Sequence, residues 1–594
     1  MRGRGPMLAA ATALLGAIAL GGSAHAAATW TVTTTSDATG SCLPSSCSLR
    51  EAVGAAASGD TVVLPAASTA YFLSGGALSI TRSIAIEGAG ARSTTIAGSG
   101  SHAALVISDS AAGAVTVSGV TISNGIDSSS NGGGGIQLDT GTLDLDDDAI
   151  TGDSENGPGG GGAALGGGIA ISAGATLNAD RDVFAGDDAS ASGLDDDAFG
   201  GAIDNNGTAT IEDTTIAGDE ASYSGGGSAA AFGGGIANGG AGQLTLVNDT
   251  FAGNTAGGAN GAGGDLYTSS SGATDLRNTI VAEGTATNDP SCDAGAGAGF
   301  TSQGDNIDAA SDECAIGGAS GDRNATDPKL GTFAYHGGPT QTVALLAGSP
   351  ALRATSGCPA EDQRGEPRGT SCSIGALEPQ PPTLSVIASA LSVTPGSAVS
   401  FTAAAGESDP TDTVAVSWSF SDGTSASGTS ATRTLTAPGS YTATATATEA
   451  LGLTTSESVS VTVLGPPALS GAALRLHQPA RRHGKRHARK FSAALSFTLS
   501  EQASVAATIS ERLRGRRVHG RCEAPRASAS ASCPKTRQVE QFTLSSAAGA
   551  NSLTFPGSAA PTRLRAGHYT LTLIATGAGA QQSAPLTLTF TVKR

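Results

Sequence analysis

Apolar and polar residues alternate in short segments along most of this chain. Leu143 and Leu145 are separated by an aspartate, and Leu244 and Leu246 are separated by a threonine in the same way. A period of two sends successive side chains to opposite faces, as in a β-strand. Heptads of Leu, Glu and Lys, which would predict long helices, do not recur. The pattern therefore predicts an all-β protein.

A glycine-rich unit repeats at a nearly constant interval in the first half of the chain. Its apolar anchors, each of which follows a run of two to four glycines directly or after one further residue, are Ile136, Ile169, Ile203, Ile236 and Leu266, at steps of 33, 34, 33 and 30 residues. Short strands with a fixed period predict a solenoid whose coils stack about 4.8 Å apart. We expect inward apolar ladders and positive-φ corners occupied by Gly, Asn or Asp. Longer polar stretches, such as 187–197, are predicted to be loops on one side.

Less regular coils are predicted before the repeats. A solenoid end exposes its apolar core and needs a cap. Ser48 and Glu51 fit a capping box, which predicts a short helix over this end. The segments that read as early strands are 78–80, 84–86, 94–96 and 115–122.

The N-terminus and the cysteines indicate an exported protein. Arg2 and Arg4 precede an apolar run at 7–20 that is too short to span a bilayer, and 24–26 is an A-x-A cleavage site. We expect a signal peptide at 1–26, secretion and no membrane span. Eight cysteines allow 105 pairings, of which bonding within each neighbourhood is the simplest. The expected pairs are Cys42/Cys47, Cys292/Cys314, Cys358/Cys372 and Cys522/Cys533. The rival interpretation, a zinc site, lacks any C-x-x-C motif.

Charge is distributed unevenly over the 594 residues. Between 131 and 290 there are 20 Asp and 4 Glu against Arg181 and Arg277, whereas 466–594 holds 19 Lys and Arg against four Glu. The acidic part should repel nucleic acid and anionic polysaccharide. The basic part could hold anionic wall polymers, and its run 481–490 could contact wall phosphates, nucleic acid or acidic surfaces. Because this run lacks interleaved aromatic residues on which bases could stack, a solvated linker is favoured. We therefore expect polysaccharide or cell-wall partners and no nucleic acid.

Several motifs in the first 380 residues resemble a known type of secreted bacterial protein. The segment 47–53, with 59–65, resembles the CSLREA module. The glycine-rich repeats are similar to those of polymorphic outer-membrane proteins, and 362–365 with 374–378 resembles the choice-of-anchor Q segment. This resemblance implies a right-handed parallel β-helix presented at a surface. It transfers no catalytic residue.

The second part of the chain predicts two immunoglobulin-like β-sandwiches. The strings 418–423 and 438–442 resemble a PKD domain, in which Trp418 would be a buried core residue. The predicted segments are a signal peptide (1–26), the CSLREA cap with the first strands (27–72), the β-helix (73–290), its closing segment (291–380), the PKD domain (382–464), a basic linker (466–490) and a C-terminal β-sandwich (491–594).

A secreted β-helix raises the question of polysaccharide cleavage. A uronate lyase needs a base and cationic side chains, but 131–290 contains no Lys or His. A glycosidase needs only two carboxylates about 5–9.5 Å apart, and the candidates are 146–148, 187–188 and 195–197. Acidic corner residues are expected to be solvated instead. The aromatic residues that could stack on a sugar there are Tyr223, Phe232 and Tyr267.

Metal and serine-hydrolase chemistry have little support. Residues 263–266 resemble a single imperfect Ca²⁺-binding corner, without a tandem array. No G-x-S-x-G or H-E-x-x-H motif occurs. His336 is expected to be a turn residue.

The sequence thus favours a non-enzymatic adhesion, glycan-binding or structural module without a cofactor, catalytic residue or metal site. The alternative is a glycosidase or lyase that uses aspartate pairs on the β-helix.

Overall fold

The computed structural model describes residues 26–593 except 130–131, 159–161, 296–298, 311–313, 315, 317, 478–491, 524–532 and 556–563. The predicted signal peptide, apart from residue 26, and the basic run 481–490 therefore lie outside the described residues. The chain forms two compact units, which divide near residue 380. In the described part, helical structure is confined to the α-helix Leu49–Ala55 and the 3-10 turn Ala578–Ala580. None of the described helices is long and apolar enough to cross a membrane.

The first unit is a β-solenoid with three long parallel sheets. The ten-stranded sheet consists of Thr29–Thr31, Thr61–Leu64, Ala85–Gly88, Ala114–Ser118, Thr142–Asp146, Thr176–Asp180, Thr208–Glu212, Gln243–Val247, Ala273–Arg277 and Gly299–Gly304. The nine-stranded sheet consists of Tyr71–Phe72, Thr95–Ala97, Thr121–Ser123, Ala149–Thr151, Val183–Ala185, Thr215–Ala217, Thr250–Ala252, Ile280–Ala282 and Ile307–Asp308. The eight-stranded sheet consists of Leu78–Ile80, Leu105–Ser108, Ile136–Thr140, Ile169–Ile171, Ile203–Asn205, Ile236–Asn238, Leu266–Thr268 and Cys292–Ala294.

The repeat anchors lie in register along the eight-stranded sheet. Ile136, Ile169, Ile203, Ile236 and Leu266 pair in turn and are fully buried. Similar inward ladders from the other two sheets complete one apolar core. The period of about 33 residues is therefore the length of one coil, and the predicted parallel β-helix is confirmed.

The coil corners have the predicted backbone conformation. Asp147, Arg181, Asp213 and Asn248 occupy equivalent corners of successive coils, with φ between 48° and 60°. Asparagine and aspartate tolerate this left-handed region better than most residues. Arg181 is the unexpected member of the set.

The predicted N-terminal cap is confirmed. The helix Leu49–Ala55 begins at Ser48, whose side chain accepts a bond from the Glu51 amide. The Glu51 carboxylate accepts one from the Ser48 amide in return. Leu49 and Val53 are buried against the first coils. The helix thus covers apolar surface that the end of the solenoid would otherwise expose.

The middle coils carry a lateral lobe with its own core. Outgoing strands form a six-stranded parallel sheet: Ile126–Asp127, Ser154–Asn156, Asp188–Ala191, Glu220–Tyr223, Thr255–Gly257 and Thr285–Ala286. Returning strands form a three-stranded sheet: Ala164–Leu165, Ala198–Phe199 and Ala231–Phe232. Nearly all the buried residues between them are alanines. The prediction that 187–197 is a loop is therefore wrong for its first half, because Asp188–Ala191 pairs with both neighbouring coils.

The closing segment packs along the side of the solenoid. Its two antiparallel strands, Leu330–Ala334 and Thr342–Leu345, precede an irregular stretch that reaches residue 380. Phe333 and Val343 contact outward-facing alanines of the nine-stranded sheet. The segment therefore covers the outer face of that sheet.

The second unit contains two β-sandwiches. The first has a three-stranded sheet (Thr383–Ala388, Ser397–Gly406, Ser430–Leu435) and a five-stranded sheet (Ser392–Val393, Thr454–Val463, Gly439–Thr448, Ala415–Phe420, Ser425–Ser427). Trp418 is buried in its core, as predicted. The second has a three-stranded sheet (Leu469–His477, Ser492–Leu499, Gly549–Phe555) and a larger sheet (Arg521–Glu523, Ala503–Val518, Gly567–Thr576, Leu586–Val592, with Cys533–Ser546 also paired to Ala503–Val518).

All eight cysteines form disulfides in the structure. The pairs are Cys42–Cys47, Cys292–Cys314, Cys358–Cys372 and Cys522–Cys533. Such bonds persist in oxidising compartments, which fits an extracellular protein.

Candidate functional site

The outer surface of the ten-stranded sheet, here called the ten-stranded face, presents three columns of side chains, most of which are polar. Strand register aligns them from coil to coil. The first column is Ala114, Thr142, Thr176, Thr208, Gln243 and Ala273. The central column is Thr116, Asp144, Asn178, Thr210, Thr245, Asp275 and Thr301. The third column is Ser118, Asp146, Asp180, Glu212, Val247 and Arg277.

These columns form a regular grid of hydrogen-bonding groups. Neighbouring strands are about 4.8 Å apart, and alternate residues within a strand are about 6.7 Å apart. All the columns' side chains are half-buried or exposed. The Asn178 amide donates to Asp144 at 2.7 Å. The central column therefore offers hydroxyl, carboxylate and amide groups in sequence, with a spacing close to the length of a sugar unit in an extended chain.

Arg181 organises the acidic edge of this face. Its guanidinium binds Asp146, Asp147 at 3.2 Å and Asp180 at 2.6 Å. Partial burial raises the pKa of Asp180 to about 6; Arg181 opposes that rise, and Asp146 adds to it. Asp146 and Asp180 are the neighbouring carboxylates that a substrate on this face would meet, and both are ion-paired.

Inside the solenoid, a different and buried column of acidic and hydroxyl residues lies at the corner between the ten- and nine-stranded sheets. Asp148 accepts the Val120 amide and donates its own amide to Asp182, each at 2.7 Å. The Thr214 amide continues the column by donating to Asp249 at 3.0 Å. Asp148, Asp182 and Asp249 are fully buried, and burial raises the pKa of each well above its ordinary value. These carboxyls hold successive corners together.

A second buried column follows the next corner of each coil. Asp153 accepts the Gly125 amide, and its own amide donates to Asp187. Asp187 and Asp219 continue the column, and the Asp219 amide donates to Asn254. Burial raises the pKa of Asp153 to about 8 and raises those of Asp187 and Asp219 strongly. The expectation that corner acids are solvated is wrong for both columns, because their carboxyls accept main-chain hydrogen bonds inside the solenoid.

The predicted cluster 195–197 is divided between different environments. Asp195 is exposed at the tip of the lobe, and Asp197 accepts the Ala230 amide at 2.8 Å. Asp196 is buried within the lobe, as is Glu155 of another coil. The carboxylate oxygens of both have no hydrogen-bond partner among the described residues. The structure thus does not bring these three aspartates together around a common space.

The candidate sugar-stacking aromatics belong to a ladder. Phe199 and Phe232 stack with ring centroids 5.3 Å apart, and Phe232 and Tyr267 are 4.6 Å apart. Rings this close turn their faces to one another, so a sugar could contact mainly their edges. Tyr223 is buried in the lobe. Sequence reasoning missed Phe199, although it precedes the glycines of its repeat as Phe232 does.

The candidate Ca²⁺ corner is also internal. Asp265 is buried and accepts the Asn254 side-chain amide at 2.9 Å. Across the described ranges, no group of three or more His, Cys, Asp or Glu residues is arranged to hold a metal ion. Asp265 therefore connects neighbouring coils through its hydrogen bond with Asn254.

The side chains of Asp362, Gln363 and Arg364 are buried between the closing segment and the coils, whereas Gly365 is exposed. Asp362 accepts the amides of Glu366 and Glu378, and Arg364 binds it at 2.8 Å. The Gln363 side chain contacts the nine-stranded sheet. His336 lies in a bend, as predicted, and its Nδ1 is 2.9 Å from the Thr342 hydroxyl. These side chains fix the closing segment and are shielded from any substrate.

One protein family matches a part of the second unit. The PKD domain family matches residues 379–463, which confirms the predicted PKD domain. None of the curated proteins compared matches the chain.

Solved structures similar to parts of this chain include the following three. Carbohydrate-binding modules of the β-sandwich superfamily share 14% identity, with 30% of this chain and 85% of that chain covered and a TM-score of 0.16. The fibronectin(III)-like modules of Clostridium thermocellum CbhA share 14% identity, with 35% and 94% covered and a TM-score of 0.14. Dimeric latent PorU from Porphyromonas gingivalis shares 12% identity, with 36% and 20% covered and a TM-score of 0.14.

Proposed function

We propose that the protein is a secreted or cell-surface, non-enzymatic module that binds a neutral polysaccharide along its ten-stranded face. One observation carries the proposal: this broad face has three regular polar columns, and the closing segment lies over a different sheet. A rigid grid loses little conformational freedom on binding, which favours an extended ligand.

The charge of the face selects the class of polysaccharide. Asp144 and Asp275 are in the central column, and Asp146, Asp180 and Glu212 are beside it. Carboxylates accept hydrogen bonds from sugar hydroxyls but repel uronates and sulfated sugars. Thr210 and Thr245 supply hydroxyls that both donate and accept. The ligand is therefore a neutral glycan.

The sequence resemblances fit a surface-presented module. We infer that 47–53 belongs to a CSLREA module and 362–365 to a choice-of-anchor Q segment, whose roles here are to cap and clamp the solenoid. The capping box at Ser48 and the buried contacts of Gln363 support this assignment. The disulfides support export.

A binding assay with two readouts tests the proposal. The mature protein is applied to columns of neutral and acidic polysaccharides, and retained protein and newly formed reducing ends are both measured. We expect retention on at least one neutral polysaccharide, without cleavage. The variant Thr210→Ala/Thr245→Ala, which alters adjacent coils of the central column, should weaken retention about tenfold, equivalent to about 1.4 kcal/mol.

The chain offers a matched control for this variant. Thr255 and Thr285 also pair on adjacent coils, but in the six-stranded sheet. Thr255→Ala/Thr285→Ala should bind like the wild type. Equal loss in both variants, or retention on acidic polysaccharides alone, would contradict the assignment of this face.

Glycoside hydrolysis is a second candidate, favoured by Asp146 and Asp180 on the same face. The raised pKa of Asp180 suits a general acid, although Arg181 binds both carboxylates. Reducing ends that appear with the wild type and disappear with Asp180→Asn would establish this activity. Their absence with every polysaccharide, alongside retention of the protein, would leave binding as the function.

A further inference from the structure

The C-terminal β-sandwich contains a cationic cleft of about 550 Å³. Arg512, Arg514 and His568 line it together with the hydroxyls of Thr589 and Thr591. Both arginines and the histidine are exposed. The cleft lies in the second unit and is independent of the ten-stranded face.

Strand pairing places these cationic groups on one face of the sheet. Arg512 is opposite His568, which is opposite Thr591 on the next strand. Arg512 and Arg514 are two positions apart on their strand, so their side chains lie on the same face and their Cα atoms are about 6.7 Å apart. His568 Nδ1 is 2.9 Å from the Thr591 hydroxyl. The arrangement offers two guanidinium groups and an imidazole in a row.

Carboxylates are kept away from this row. Among the residues that the structure describes, no Asp or Glu lines the cleft. Glu511 is on the opposite face of the strand, because side chains alternate, and it binds Arg537 at 2.5 Å. Arg512 and Arg514 have no carboxylate partner among the described residues. Their charges are therefore available to a ligand.

We propose that this cleft binds a carbohydrate polyanion, through its carboxylate or sulfate groups. Guanidinium groups bind such anions with two parallel hydrogen bonds, which is stronger and more specific than a point charge. The threonine hydroxyls supply bonds to neutral parts of the sugar. The protein thus has two sites of opposite charge, an acidic face for a neutral glycan and a cationic cleft for an anionic one.

The aromatic residues of the cleft favour polysaccharide over single-stranded nucleic acid. Binding of single strands relies on exposed rings on which bases stack. Tyr569 and Phe590 line the cleft but are buried, and they stack on each other with centroids 5.4 Å apart. The cleft therefore has charge without an open stacking surface.

Binding of defined polymers to the full chain tests this proposal. The probes are polygalacturonate for carboxylate groups, dextran sulfate for sulfate groups, uncharged dextran, and poly-dT for nucleic acid. We expect at least one acidic polysaccharide to bind at low salt through the cleft, whereas any binding of uncharged dextran should not depend on the cleft. Arg512→Gln/Arg514→Gln should weaken that binding about tenfold or more.

Two controls separate the cleft from general basicity. Arg475 is an exposed arginine of the other sheet of the same sandwich, and Arg475→Gln should change affinity less than twofold. Because the basic run 481–490 could bind the same polymers, the comparison is repeated with its six Lys and Arg residues replaced by Gln. The cleft variant should still lose binding in that background.

Three outcomes would overturn the proposal. They are equal losses for Arg475→Gln and the cleft variant, complete dependence on 481–490, and tighter binding of poly-dT than of either acidic polysaccharide. The last would identify a nucleic-acid site instead. If the cleft variant loses binding to acidic polysaccharide but is still retained on neutral polysaccharide, the two sites act separately.

Discussion

Gln363 donates from its side-chain amide to the main-chain oxygen of Asp182 at 2.7 Å, although the two residues are 181 positions apart in the chain. Its carbonyl oxygen accepts the Thr215 hydroxyl of the next coil. The same amide also reaches Thr340 and the main chain of Gln341 in the closing segment. One buried side chain thus connects two coils to the segment that covers them.

Replacing Gln363 should loosen the closing segment. Gln363→Ala leaves buried partners without a hydrogen bond, at a cost of about 1–3 kcal/mol. We expect a lower melting temperature for the first unit and faster proteolysis within 330–380. Gln243→Ala, at an exposed position of the ten-stranded face, should change neither. An unchanged cleavage pattern in Gln363→Ala would show that the clamp does not depend on this contact.

The buried ion pair between Arg368 and Asp213 should be more costly to break. Both side chains are almost inaccessible, and Arg368 also donates to the main chain of Gly375 and Ala376. Arg368→Met leaves the buried carboxyl groups of Asp213 and Glu378 without their cationic partner, and we expect a loss of about 3–5 kcal/mol in thermal or urea unfolding.

A second substitution separates charge from packing. Adding Asp213→Asn to Arg368→Met replaces the unpaired carboxyl group by a neutral amide of the same shape and should restore part of the lost stability. If the double variant is as unstable as the single one, the main-chain bonds of Arg368 account for the effect.

The coil architecture was predictable because its signal is local. The alternation around Leu143 and the constant spacing of the glycine-rich repeats define strand, corner and period together. The capping box needed only Ser48 and Glu51, three residues apart. Each of these features is decided by neighbours in sequence.

The missed features depend on distant contacts. Asp188–Ala191 has the small and polar residues of a loop, and it becomes a strand because coils on both sides pair with it. Aspartate is usually found at the surface, yet the stacking of coils buries Asp153 and Asp187 against main-chain amides. The contacts of Gln363 likewise follow from the folded solenoid. These residues could not be placed before the coils were stacked.

The aromatic ladder should stabilise the solenoid without serving the glycan site. Phe232 contacts both Phe199 and Tyr267, and aromatic pairs contribute about 0.5–1.5 kcal/mol beyond burial. Phe232→Ala should lower the melting temperature and leave retention on neutral polysaccharide unchanged. Phe72, which is 45% exposed, provides a control: Phe72→Ala should have a smaller effect. Loss of retention by a folded Phe232→Ala protein would place the glycan on the ladder.

The disulfides should act on the two units separately. Cys292–Cys314 joins a strand of the first unit to a buried loop residue, and Cys522–Cys533 lies in the second unit. Replacing both cysteines of Cys292–Cys314 by serine should cost about 2–5 kcal/mol. In calorimetry, only the transition of the first unit should move, and the equivalent change in Cys522–Cys533 should move only the second. A shift of both transitions in either variant would show that the units unfold together.

The buried acid column makes stability depend on pH in an unusual direction. The pKa of Asp153 rises from 3.8 to about 8 on burial, so between those values the folded protein holds a proton that the unfolded chain has released. The contribution of Asp153 to stability therefore falls as pH rises from about 4 to about 8, and it levels off above that. Calorimetry from pH 5 to 9 should show the melting temperature of the first unit decreasing up to about pH 8 and changing little above it.

Asp153→Asn should flatten this dependence. The amide oxygen can still accept the Gly125 amide but the side chain cannot ionise, and Asn254 already occupies the same column. We expect the variant to be more stable than the wild type at pH 8 and closer to it at pH 5, while Asp144→Asn on the ten-stranded face should leave the slope unchanged. Parallel curves for wild type and Asp153→Asn would mean that Asp153 is ionised in the folded protein, stabilised by its main-chain bonds despite burial.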